Sequence, residues 1–375
     1  MLNKTNALII LLTYLSLFCL GLTDNLRGTL FPEILSTYSL SNSTGAYLFI
    51  ITSFFSIIAS LTSHWWLQKS DALNVWRWGI LLMGLGAIGF FLSPQFSLLL
   101  LSCAILGLGF GILAVTQNLL ITRVASPKSK QRALSGLHSM YGFASFLSPL
   151  LVRELIQNQV PWKFLFLIAG SLVFLLYLST FLIPKVTLTL PVKNLMLTAK
   201  LENHNNKTLQ LSAIISCYIC IELLISTRMT SYLKYQVQLN LAQSSLYLTY
   251  FFVGLLLGRI TFTFFHPALS TKKMLLISLL GSLFLITLGL RIDPLYLSMS
   301  GLLLAPFYPL AISLISEMFP NHVTAVLSKT ISFQSLFFIS MNLAVGYWSD
   351  LFSISSAMNA IYIFGGIAWI LLMKL

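Results

Sequence analysis

Charge is what this sequence has least of. Only 8% of its 375 residues are charged, with nine acids against 22 lysines and arginines. Soluble domains carry about 25% charged residues. A soluble fold of this size could not cover its surface with so few, so that class is excluded. Cysteine is also scarce: Cys19, Cys103, Cys217 and Cys220 all fall inside apolar runs. The Cys217–Cys220 spacing looks like a redox pair, but in a lipid-buried helix it reads as two small apolar residues. No disulfide framework is implied. Catalytic signatures are missing too. There is no H-E-x-x-H, no G-x-S-x-G and no G-x-x-x-x-G-K-[ST], which argues against an enzyme, calls for no cofactor and leaves no phosphate-cradling loop.

Hydrophobic residues are what the chain has in abundance, at 57% with a mean hydropathy of +0.89. Long apolar segments lie near 6–34, 44–65, 76–94, 97–122, 133–155, 162–183, 209–233, 244–265, 274–290, 295–318, 324–348 and 352–373. Twelve spans of ~20 residues would use most of the chain. Backbone groups cannot stay unpaired in hydrocarbon, and continuous apolar runs select helices over barrel strands. The expected fold is therefore an all-α membrane protein of twelve transmembrane helices. The first run, 7–22, follows a single Lys4 and lacks a small-residue cleavage site, so it reads as a retained span.

The net charge of +13 would suggest nucleic acid in a soluble protein. Here it tests topology instead. With the N-terminus inside, 15 of the 22 basic residues fall in inner segments, which fits both termini in the cytoplasm. No nucleic-acid partner is expected. The longest polar stretch, 184–210, divides the chain into an N-terminal six-helix bundle (1–183), a cytoplasmic central loop (184–208) and a C-terminal six-helix bundle (209–375). A short amphipathic helix over 192–201, or a plain linker, fits the loop. The halves look duplicated. Ile51–Phe55 and Leu248–Phe252 match at an offset of 197, and Gly107 precedes Pro127 much as Gly301 precedes Pro320.

Ionisable groups inside a span cost about 2.5–3.5 kcal/mol on insertion scales, so they usually face a cavity or a partner. Span one carries Asp24 and Arg27, three residues apart on one helix face, which can pair at a buried site or at a hydrated outer mouth. Span seven carries Glu222, with Tyr218 four residues before it and Ser226 four after. A lone carboxylate there is a candidate proton carrier, or else a static link to a neighbouring helix. Arg228, six residues on, is expected to point elsewhere and to sit at the outer end of the span. Span eight carries Arg259. Uncharged candidates follow: Gln117 and Asn118 beside the small-residue face of Gly107, Gly111 and Ala114; His138, Tyr141, Gly142, Ser145 and Pro149 in span five; Gln334 and Asn342 in span eleven. These can serve a hydroxylated solute or merely hold helices together. Pro306 and Pro309 should break or bend span ten.

Several motifs resemble the major facilitator superfamily. Trp162-Lys163-Phe164-Leu165-Phe166 is similar to its W-R-x-x-F signature. Gly107 to Gly111, then Pro127, Arg132, Ala133 and Gly136, resembles its span-four-to-five pattern, and Gly142 to Pro149 a loosened G-x-x-x-G-P. A narrower resemblance is to the fucose-permease-like and sugar-porter-like branch, through Leu30-Phe31-Pro32, Tyr218 with Glu222, Gly258-Arg259 and Ala305-Pro306-Phe307-Tyr308-Pro309. The loop after span two departs from the family. Its acidic-basic-glycine signature is replaced by Ser60 to Trp66, and Gln117 and Asn118 stand where the fucose-permease pattern has an acid.

The resemblance implies two six-helix bundles with spans one, four, seven and ten lining one central site, opened alternately to each side. It implies a monomeric secondary transporter moving a small-molecule solute, such as a sugar, with a proton as coupling ion. The compactness of the chain fits a bacterial inner membrane. Asp24 or Glu222 would take the proton. Arg27, Gln117, Asn118, His138, Tyr141, Tyr218, Tyr308 and Gln334 would shape the site, and Arg259, Pro306 and Pro309 would gate it. Efflux of amphipathic compounds and a non-transporting sensor with a degenerate transporter fold stay open as alternatives.

Overall fold

The apolar runs fold as helices throughout the computed structural model, which describes residues 4–126, 129–184, 205–264, 269–319 and 322–375. Most of the central loop, the expected amphipathic helix over 192–201, and Pro127 and Pro320 lie outside the described residues. Among those described there is no strand. The chain divides into two compact units, Met1–Arg27 with Tyr47–Leu197, and Gly28–Ala46 with Thr198–Leu375.

The first unit takes α1 (Lys4–Thr29) up to Arg27, α3 (Asn42–Lys69) from Tyr47, α4 (Ala72–Leu92), α5 (Phe96–Val124), α6 (Lys130–Gln157) and α7 (Lys163–Ser179). Asp71 starts α4 by accepting the Leu73 amide at 3.2 Å, as expected of an N-cap carboxylate. Glycines let the backbones approach. A β-carbon at Gly86 would meet the Leu106 backbone, and one at Gly109 the Met83 amide, so α4 and α5 pack main chain to main chain. Phe90 of α4 stacks on Phe166 of α7 with centroids 4.4 Å apart.

The second unit takes α2 (Phe31–Tyr38) with the start of α3, then α8 (Asn205–Tyr235), α9 (Leu241–Phe264), α10 (Thr271–Arg291), α11 (Pro294–Leu304), α12 (Phe307–Met318), α13 (Val323–Leu351), α14 (Ile354–Ala357) and α15 (Ala360–Met373). Residues 28–46, assigned from sequence to the first half, cluster here for local reasons. Phe31, Pro32, Ile34 and Leu35 are buried. Thr230 bonds to the Gly28 carbonyl at 3.2 Å and Tyr235 to the Pro32 carbonyl at 3.2 Å, and Lys234 pairs with Glu33. Span one is accordingly two helices, with the break at Leu30. Span ten also breaks, between α11 and α12, where Pro306 and Pro309 interrupt the helical ladder.

Among the described residues, ten segments are long and apolar enough to cross a membrane by length and composition. The other two long helices, α6 and α13, have 28 and 29 residues. At 1.5 Å per residue either reaches about 42 Å, more than a ~30 Å hydrocarbon core. Twelve membrane-length segments result, and the fold is that of an all-α membrane protein.

The two units repeat one contact. A β-carbon at Gly107 of α5 would strike the Thr52 carbonyl of α3, and one at Gly301 of α11 would strike the Phe251 carbonyl of α9. In each case a glycine of the fourth span of a half seats on the backbone of its second. For Gly107 and Gly111, close helix packing is therefore the role found.

Candidate functional site

In the first unit, the i, i+3 spacing on α1 pairs Arg27 with Asp24, whose side chains are 4% and 32% exposed. The guanidinium also donates to Thr52 Oγ1 at 2.6 Å and to the Leu48 carbonyl at 3.2 Å, and lies 5.6 Å from the Phe49 and Phe110 ring centroids. From α6, the Tyr141 hydroxyl donates to Asp24 Oδ2 at 2.7 Å. One turn along α6, Ser145 receives the Asn25 amide at 3.0 Å. Asp24, Arg27 and Tyr141 thus form one charge-neutral polar cluster joining α1, α3 and α6.

Gln117 does not join it. Its amide donates to Ser16 Oγ at 2.9 Å, beside the Trp76 indole at 3.3 Å, in a buried knot. Asn118 is half-buried and bonds back to the Ala114 carbonyl at 2.8 Å. His138 is exposed, as are Ser135 and Ser139, and a β-carbon at Gly142 would meet nothing within 4 Å. These positions recur at three- and four-residue steps, so one face of α6 is polar and open. A membrane helix keeps such a face only where water or protein adjoins it.

In the second unit, Tyr218 of α8 donates to Glu222 one turn on, and Arg259 of α9 stands 3.7 Å from the same carboxylate. The Tyr218 ring stacks on Phe307 of α12 with centroids 4.5 Å apart. Tyr308, next to that phenylalanine, comes within reach of Gln334 of α13 and feels the charges of Glu222 and Arg259. Four helices therefore bring Tyr218, Glu222, Arg259, Tyr308 and Gln334 together. Glu222 is not the lone carboxylate that the sequence suggested. Its basic partner arrives from another helix, 37 positions on, where no local spacing could reveal it. Arg259 is 45% exposed and links α9 to α8 through this contact.

Arg228 stays out of that cluster, as its place six residues past Glu222 suggested, but it is more enclosed than a helix-end arginine need be. It is 1% exposed, with its guanidinium 4.0 Å from the Phe31 ring centroid and 3.1 Å from Asn342 Oδ1. It ties α2, α8 and α13. The signal was its position inside an apolar span, where a buried arginine needs a built environment. Nearby, Asp350 accepts the Asn42 amide at 2.7 Å and the Ser43 amide at 2.8 Å, closing the first turn of α3. Burial raises the carboxyl's pKa, but the bonds from Ser43 and Asn42 outweigh it and hold the group below its ordinary value.

Residues 13–256 match the sequence profile of the Major Facilitator Superfamily. The chain belongs to that superfamily. Among curated relatives, it is 20% identical to a TsgA homologue of Buchnera aphidicola subsp. Schizaphis graminum over 70% of this chain and 68% of that protein. It is 25% identical to TsgA of Salmonella arizonae over 47% and 46% of the two chains, so that match spans about half the relative's length. Solved structures of major facilitator proteins share the fold. A bacterial homologue of the human lysosomal transporter Spinster superposes with a TM-score of 0.83 at 11% identity, covering 99% of this chain and 97% of that one. A D-xylose–proton symporter gives 0.76 at 14%, covering 98% and 96%. The E. coli fucose–proton symporter FucP gives 0.66 at 17%, covering 99% of each. Within the superfamily fold, the W-R-x-x-F-like segment opens α7. There Trp162 sits edge-on to Phe166, and Lys163 bonds to the Ser93 carbonyl at 2.7 Å.

Proposed function

We propose that the chain is a proton-coupled secondary transporter that moves a small polar solute, with sugars the first class to try, by alternating access. The observation that carries this reading is the Tyr218–Glu222–Arg259 cluster, with Tyr308 and Gln334 beside it. Glu222 in its charged form holds Arg259 and Tyr218. Protonation cancels the attraction to Arg259 and turns the carboxyl into a donor. The two tyrosines and Gln334 are then free to trade bonds with a hydroxylated solute. Binding a proton and binding a solute are in this way linked through the same side chains. Asp24, Arg27 and Tyr141 form a second polar cluster of related chemistry in the first unit, and the open polar face of α6 carrying His138 is suited to line a hydrated path. The break at Pro306 and Pro309 gives α12 freedom to turn as the cluster exchanges partners.

The names of the xylose and fucose symporters among the structural neighbours support the solute class, and the TsgA relatives support a bacterial inner-membrane setting. The positive-inside bias supports a topology with both termini in the cytoplasm, and one chain suffices for the proposed site.

The test is proton flux in proteoliposomes after adding each member of a sugar and polyol panel, with Glu222→Gln in parallel. A solute-triggered pH change in the wild type, absent in the variant, is the expected result, with radiolabelled counterflow retained. Undiminished proton-driven uptake by Glu222→Gln would refute the role of Glu222. Ligand binding without flux in folded protein would refute transport and favour a sensor.

A further inference from the structure

The transport reading makes no use of a groove in the first unit, bounded by α3, α4 and α5. Its volume is about 680 Å³, within the ~300–1,000 Å³ range of ligand cavities. Ile58, Leu82 and Leu108 line it together with the indoles of Trp65, Trp66 and Trp78. Each tryptophan is more than half exposed. Lys69 and Ser70, both exposed, supply the polar rim, and no acid lines the groove. The next acid in sequence, Asp71, is turned to the Leu73 amide of its own helix.

The polarity of this groove changes along its length. Trp65 and Trp66 occupy the last turns of α3, and Trp78 an early turn of α4. Indoles at span ends belong at the level of lipid headgroups. A lysine there lays its stem on apolar surface and keeps its ammonium in the headgroup layer. Beyond the rim the wall is hydrocarbon. A cation followed by an apolar recess is the complement of a phosphate followed by an acyl chain, and basic residues between helix ends attract anionic headgroups. Trp65 and Trp66 of the groove lie in the segment from Ser60 to Trp66, where this chain departs from the acidic-basic-glycine signature.

We propose that the groove is a site for one anionic phospholipid, its phosphate on Lys69 and Ser70 and an acyl chain along Trp65, Trp66 and Trp78. Native mass spectrometry of the whole protein in micelles doped with equal amounts of phosphatidylglycerol and phosphatidylcholine reads the outcome. One phosphatidylglycerol should be retained in several-fold preference. Lys69→Gln should abolish the preference and Lys69→Arg should keep it. Lys329→Gln, which removes the same charge from α13, should also keep it. Thr62→Trp fills the recess without changing charge and should lower retention; if it does not fold, the three lysine variants decide alone. Equal retention of the two lipids, or a preference that survives Lys69→Gln, would overturn the proposal. So would a preference lost equally in Lys69→Gln and Lys329→Gln, because that would mark general charge attraction.

Discussion

Replacing Asp24 with asparagine isolates the value of the α1 ion pair. Arg27 is nearly fully enclosed, and among the contacts described Asp24 is its one acidic partner. Breaking a buried pair from one side costs about 3–5 kcal/mol, because a cation is left without its counter-charge. Two features lower that figure here. Asp24 is one-third exposed, which screens the pair. Arg27 also keeps Thr52 and the Leu48 carbonyl. A loss of about 2–3 kcal/mol follows, between 30- and 150-fold in the folding equilibrium. Asp24→Asn with Arg27→Gln removes both charges and should cost less than the sum of the single changes, by about 1–2 kcal/mol. Tyr141→Phe deletes one bond to the carboxylate and should cost about 1 kcal/mol. Equilibrium unfolding of the purified protein in mixed micelles measures all four. Wild-type stability in Asp24→Asn, or strict additivity in the double variant, would show that the pair is not what neutralises Arg27.

Two further predictions concern packing and pH. Gly107→Ala puts a methyl group against the Thr52 carbonyl and should cost about 1–3 kcal/mol, whereas Ser139→Ala on the open face of α6 should change stability by under ~0.5 kcal/mol; the same unfolding assay compares them. The Asp350 carboxyl sits below its ordinary value in the folded chain, so its stabilising contribution is fully present above the ordinary carboxylate range and is lost as pH falls through the folded-state value. Hydrogen exchange at the Asn42 and Ser43 amides should accelerate on acidification in the wild type, and should be fast and independent of pH in that window, after correction for intrinsic exchange, in Asp350→Asn.

Which parts were legible in the sequence depends on how far apart the interacting residues are. Hydrophobic runs fixed the spans, and the prolines at 306 and 309 marked the break in span ten. The Asp24–Arg27 and Tyr218–Glu222 pairs could be read because they lie three and four residues apart on one helix. Their partners from other helices could not. Tyr141 reaches Asp24 from 117 positions away, and Arg259 reaches Glu222 from α9. The partners of Arg228 were out of sight for the same reason: they come from α2 and α13, and helix periodicity says nothing about which neighbour a face will meet. Gln117 shows the same limit from the other side. Its polarity fitted either a solute site or helix packing, and only the structure shows that a serine on α1 satisfies it in the interior.

The interrupted tenth span has a mechanical consequence. Pro306 and Pro309 carry no amide hydrogen, so the carbonyls of Leu302 and Ala305 receive no donor from four residues on. Torsion applied to one segment is therefore poorly transmitted to the other. The anchors differ as well. Gly301 and Leu297 seat α11 against the backbones of α9 and α10, while Phe307 and Tyr308 face α12 toward the acid–base cluster. The α11 rod is clamped, and α12 is freed from it at the prolines. Under the proposed proton coupling, such a span would serve as a torsion joint, letting a change of charge at Glu222 rotate a dozen residues while the clamped segment stays in register.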